Sequence, residues 1–112
     1  MDEKERILKE NVQEYMDFAE YAFKAQKYNS ATTLFFKGIC AAVDLFILKK
    51  EGAAPSSHTS RFRIAQEKYP ELYDILDKDF PFYQDSYTHK MDRETAEVLK
   101  EDAQRIAKML ED

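Results

Sequence analysis

Between Ala31 and Leu48 the chain sets Leu34, Phe35, Phe36, Ile39, Ala41, Ala42, Val43, Leu45, Phe46 and Ile47 around nearly every side of a helix. Such a helix must be enclosed at the centre of a bundle or share its second face with another chain. Its polar residues Thr33, Lys37, Cys40 and Asp44 step by four, three and four, so they form a single stripe. That stripe faces water or makes a polar seam between subunits. Charged side chains are rarely buried without a partner, so water is the expected neighbour.

The flanking segments supply helices to cover this one. Leu8, Val12, Tyr15, Ala19, Ala22 and Phe23 alternate with acids and lysines at helical spacing, which predicts an amphipathic helix from about residue 3 to 26. Asn29 or Ser30 is placed to cap the apolar helix, which runs to about Lys50 as the second arm of an antiparallel hairpin. Gly52 and Pro55 mark a loop, and the chain restarts at about Ser57. Beyond it the pattern is fragmented: breaks are expected near Pro70 and at Asp77 to Pro81, with a last short helical piece before His89. Asp92 is placed to cap a final helix whose Ala96, Leu99, Ala103, Ile106 and Leu110 recur at three and four residues. No segment alternates with the period of a strand. The expected fold is a single all-α domain over residues 1–112, an up-and-down bundle of about four main helices with a fragmented third region. Its expected core comprises Leu8, Val12, Ala19, Leu34, Phe35, Ile39, Leu45, Phe46, Leu99, Ala103 and Ile106.

Composition excludes several classes. A lone Cys40 forms no internal disulfide, and one Cys with two His falls short of a structural zinc site, so no metal or other cofactor is expected. The charged start, Asp2 to Arg6, does not read as a signal peptide. The longest apolar stretch, Ile39 to Leu48, is interrupted by Asp44 and well short of the roughly 20 residues of a membrane span. A cytoplasmic protein without membrane contact is expected. The net charge of −5 argues against a protein that coats nucleic acid.

The charge is unevenly spread. Residues 28–68 carry six bases against three acids, whereas residues 69–92 carry six acids against two bases. Lys50, His58, Arg61 and Arg63 are therefore the candidates for contact with phosphate or RNA, against the plainer reading of ordinary solvated charges. Ser57 beside His58 resembles a nucleophile with its base only superficially, because neighbours at a helix start diverge and no third group orients them. Ser57 or Thr59 is expected to cap. Cys40 reads as a small buried hydrophobe. Glu101 and Asp102 are expected to be solvated charges on different sides of the last helix, with Glu101 and Arg105 as an exposed pair.

The run Ala25 to Ala31, the apolar helix through Ala41-Ala42-Val43-Asp44-Leu45, then Pro55-Ser56-Ser57-His58 and Arg61-Phe62, together resemble the HEPN domain (higher eukaryotes and prokaryotes nucleotide-binding). Tyr83 and Tyr87, followed by a helix with Ala103, Ile106 and Ala107, fit the same pattern. The resemblance implies a small helical bundle that dimerises, found in prokaryotic toxin–antitoxin, defence and nucleotidyltransferase-associated systems. Many members are metal-independent ribonucleases with an Arg, a polar neighbour, and a His four to six residues after the Arg. The matching place here is Gln84, Asp85 and His89, with Gln84 standing where the family has Arg. Gln brings no positive charge to a phosphate, so the electrostatic half of the mechanism is missing. The resemblance thus implies a binding module without catalysis, a homodimer whose partner is a nucleotidyltransferase or an antitoxin-type protein. An atypical ribonuclease using His89, and a helical adaptor outside this family, are the alternatives.

Overall fold

The computed structural model describes residues 2–111, and five helices carry most of them: α1 (Glu3–Lys24), α2 (Tyr28–Glu51), α3 (His58–Lys68), α4 (Pro70–Asp85) and α5 (Arg93–Glu111). No strand occurs among the described residues. The all-α expectation holds, with five helices in place of about four because the third region forms two full helices. Three starts carry side-chain caps, two of them, Ser57 and Asp92, as expected, and one, Asp2, not anticipated. Asp2, Ser57 and Asp92 each accept a hydrogen bond from the backbone N–H three residues on, satisfying amides that the first turn leaves free. Gly52 ends α2 at φ 85°, a left-handed conformation that costs a side-chain-bearing residue more.

α2 is the axis of the molecule. α1 folds back along it: Phe23 packs edge-on against Tyr28 and Phe35, and Gly38 lies so close to α1 that an added Cβ would stand 2.9 Å from the Met16 side chain. α5 lies along α2 from Arg93, over the Phe23 ring, to Met109 and Leu110 near Phe46. α4 covers α2 through Phe36, which stacks on Tyr83 and tilts against Phe80. Both sides of the apolar helix are therefore covered within one chain, and its second face needs no other subunit. By length and composition α2 would suffice to cross a membrane, more than the Ile39 to Leu48 stretch suggests; most of it is buried against its neighbours, as in a core helix.

Of the expected core, Ala19, Phe35, Ile39, Leu45, Leu99, Ala103 and Ile106 are buried, whereas Leu8, Val12, Leu34 and Phe46 are only partly covered. Leu72, Ile75, Leu76 and Tyr83 of α4 complete it. The break expected at Asp77 to Pro81 does not occur. Pro81 sits inside α4, where it removes one backbone hydrogen bond at a cost of about 3 kcal/mol. Phe80 and Tyr83, on either side of it, both pack on Phe36 and keep one helical register across it.

Asn29 does not cap α2; the position before the helix is Lys27, with no side-chain cap. The Asn29 side chain instead reaches the α4–α5 connection. Its Nδ2 donates to the carbonyls of Ser86, at 2.9 Å, and His89, at 2.7 Å, and its Oδ1 accepts from the Met91 N–H at 2.9 Å. Three contacts some 60 residues away in sequence thus hold the turn that starts α5. Asn29→Ala leaves those backbone groups without their partner, and a loss of about 1–3 kcal/mol is expected in urea unfolding. A loss below 0.5 kcal/mol would mean that water replaces the side chain without cost.

Candidate functional site

The polar stripe of α2 does not simply face water. Asp44 is 8% exposed and Arg61 of α3 is 9% exposed, and the two meet as a planar pair: Arg61 Nε donates to Asp44 Oδ1 at 2.7 Å and Nη2 to Oδ2 at 2.9 Å. Two parallel bonds of this kind fix position as well as charge. The placement follows from the loop between Gly52 and Ser57, which runs back past Asp44 through Ala54 and Pro55. α3 then travels in the same direction as α2. Lys68 meets Glu51 at 2.7 Å two helical turns further on, and Tyr69 Oη donates to the same carboxylate. Those two partners lower the pKa of Glu51, while the bond raises that of Lys68.

The remaining edge of the Arg61 guanidinium is also in use. Nη1 lies 2.8 Å from His58 Nδ1, and because a guanidinium only donates, His58 accepts through Nδ1 and carries its proton on Nε2. Packing of the imidazole beside Phe80 and Tyr83 lowers its pKa, and the adjacent Arg61 charge lowers it further, so His58 is neutral at pH 7. These residues border a cleft of about 250 Å3 among α1, α2, α3 and α4, lined also by Tyr15, Phe36, Lys37, Cys40 and Tyr83. The Lys37 ammonium stands 5.9 Å from the centre of the Tyr83 ring. Burial pushes the Cys40 thiol up to about 12, so it offers no thiolate nucleophile at neutral pH. Tyr83 shares a 2.8 Å hydrogen bond with Tyr87, and burial followed by that bond raises its pKa to about 12.

The sequence candidates separate in space. Arg61 and His58 come together in the cleft. Arg63 lines a shallower groove with Phe62, Tyr73 and Phe80, and Lys50 stands over the Phe46 ring near the end of α5. Gln84 and Asp85 are exposed in the last turn of α4, and His89 follows on an exposed turn where its N–H donates to the Asp85 carbonyl at 2.7 Å. The His89 ring meets Thr88 Oγ1 at 2.9 Å and is absent from the lining of the Arg61 cleft. Ser57 is occupied as a cap. No cluster of three or more metal-ligating side chains occurs among the described residues. Sequence reasoning found the stripe and Arg61 separately; the lone acid in the middle of an apolar helix was the signal that a cation must reach it.

A second buried acid pair was missed. Asp102, expected in water, is 3% exposed, and Asp79 on α4 is fully buried with neither carboxylate oxygen meeting a hydrogen-bond donor. Arg105 turns toward Asp102, at 3.6 Å, where an exposed pair with Glu101 was expected, and Lys78 approaches Asp102 at 2.9 Å. Burial, then the neighbouring Asp102, pushes the Asp79 carboxyl up to about 8. A protonated Asp79 has an O–H to donate where the ionised form has none.

No family model, curated protein or solved structure matches this chain.

Two stability predictions follow from these pairs. Arg61→Met leaves Asp44 buried without its cation and should cost about 3–5 kcal/mol in denaturant unfolding. The double variant with Asp44→Leu should recover most of that loss; a double variant no better than the single would show that packing, not the orphaned charge, sets the cost. For Asp79 the folded state holds its proton more tightly than the unfolded chain. Its contribution is therefore most favourable below about pH 4 and is lost progressively as pH rises toward 8. Asp79→Asn, which keeps a donor toward Asp102, should raise the melting temperature more at pH 8 than at pH 5. An equal effect at both pH values would contradict the raised pKa.

Proposed function

We infer that this chain is a HEPN-like helical binding module without ribonuclease activity, a cytoplasmic homodimer whose partner is a protein of the nucleotidyltransferase or antitoxin type. A HEPN-like bundle is part of the same proposal, although α3 runs in the same direction as α2 and so departs from a strict up-and-down order. One observation carries the non-catalytic half: the candidate cation Arg61 and the motif histidine His89 are apart. Gln84 stands at the family's Arg position, while Arg61 commits two of its nitrogens to Asp44 and the third to His58. A guanidinium held this way has little capacity left for a developing phosphate charge. Although Arg61 and His58 touch, the contact uses His58 Nδ1 as an acceptor, which does not make it a general acid at that atom.

The binding half is supported by exposed aromatic surface. Phe18 and Tyr21 lie one turn apart on α1 and are 61% and 74% exposed, with Ile7 three turns earlier on the same helix at 44%. Since α2 is covered within the chain, this face of α1 supplies three of the exposed large apolar side chains, beside Tyr87 and Val98 elsewhere, for contact with a second subunit or partner.

The test is cleavage of single-stranded RNA in the presence of a chelator, paired with sedimentation at micromolar concentration. The wild-type chain should leave RNA intact and sediment at twice the monomer mass. Gln84→Arg supplies the missing charge at the family's spacing, and any cleavage it gains should vanish with His89→Ala added, because the two would act as one unit. Robust cleavage by the wild-type chain, abolished by His89→Ala, would replace this reading with the atypical ribonuclease, and a clean monomer would remove the dimer.

A further inference from the structure

We propose that the cleft among α1, α2, α3 and α4 binds a small molecule carrying one oxyanion on an aromatic or apolar body, with Lys37 and His58 holding the oxyanion. This goes beyond the HEPN-like reading and is independent of it.

Three features of the cleft point to this ligand chemistry. The first is charge. Asp44 and Arg61 neutralise one another and His58 is neutral, so Lys37 leaves the lining with one net positive charge. No carboxylate lies within salt-bridge distance of Lys37 among the described residues, and the ammonium is placed over the Tyr83 ring. A second feature is the direction of the hydrogen bonds. Both Asp44 oxygens already accept from Arg61, whereas His58 Nε2–H has no acceptor among the described residues, and the Lys37 ammonium only donates. The two groups that flank the ion pair are donors, and the Asn11 amide and Tyr15 hydroxyl of the same lining can donate as well as accept, so a carboxylate or phosphate is a complementary acceptor.

The third feature is shape. The aromatic side chains of Tyr15, Phe36 and Tyr83 border a lining that is otherwise largely polar, and about 250 Å3 is below the roughly 300–1,000 Å3 of sites for drug-sized ligands. A small ring with one charged substituent fits that space, and a nucleic-acid strand does not. The Asp44–Arg61 pair also acquires a purpose here. It is costly to bury, yet it fixes the guanidinium that in turn fixes the His58 tautomer, so the donor is set before a ligand arrives.

Proton–nitrogen correlation spectra recorded during titration with phenyl phosphate, benzoate and phenol test the proposal. Phenyl phosphate, benzoate or both should shift the amides of residues 37–44 and 58–61 saturably, with a Kd at or below about 1 mM, and phenol should not. Binding of phenyl phosphate alone would assign the site to phosphate esters, and binding of both probes to oxyanions generally. Lys37→Gln, a change at an exposed position, should weaken binding by about tenfold or more, and His58→Phe by several fold, with the circular dichroism of each unchanged. Absence of saturable shifts up to about 10 mM, equal binding of phenol, or undiminished binding by Lys37→Gln would each overturn it. None of these outcomes depends on RNA cleavage or on the mass of the assembly, so this proposal and the HEPN-like reading fail separately.

Discussion

Asp44 is the one carboxylate in the enclosed middle of α2, and an ionised carboxyl there is tolerable only where a cation with matching geometry reaches it. Arg61 is that cation. Its reach dictates where α3 lies, because the loop from Gly52 must double back along α2 before the chain becomes helical again. Once α3 is placed, Lys68 and Tyr69 meet Glu51 two turns along, and His58 is held against the free edge of the guanidinium. Much of the polar architecture on this side of the bundle is thus a consequence of one buried charge.

The opposite side of α4 manages charge in another way. Asp79 has no cation of its own, and its neighbour Asp102 is already approached by Lys78 and Arg105. Retaining a proton is the remaining route to burial, and the raised pKa reflects it. The two sites show the two solutions open to a buried acid, pairing and neutralisation, within one small bundle. Pairing at Asp44 leaves the adjacent donors oriented and accessible at a cleft, whereas neutralisation at Asp79 yields a buried contact between helices whose strength depends on pH.

Much of the helical order was legible along the chain. The caps Ser57 and Asp92, the stop at Gly52, and the spacing of Ala19, Leu99, Ala103 and Ile106 are local signals, set by backbone satisfaction and helical period, and they need no knowledge of neighbours. Pro81 misled for the same reason. Its local preference to break a helix was overridden by Phe80 and Tyr83 packing on Phe36, a contact between residues more than 40 positions apart. Asn29 carried a local capping signal and was used instead across the fold.

The sequence by itself determined that the molecule is helical, that α2 must be covered on nearly every side by its own chain or another, and that Asp44 lies on a polar stripe of that helix, because periodicity is a property of single segments. Only the tertiary structure decided which cation answers Asp44, that His58 and Lys37 share a cleft with it while Arg63, Lys50 and His89 do not, and that Asp79 and Asp102 are buried side by side. Those outcomes depend on loop path and on how helices pack against one another, which no short-range pattern encodes.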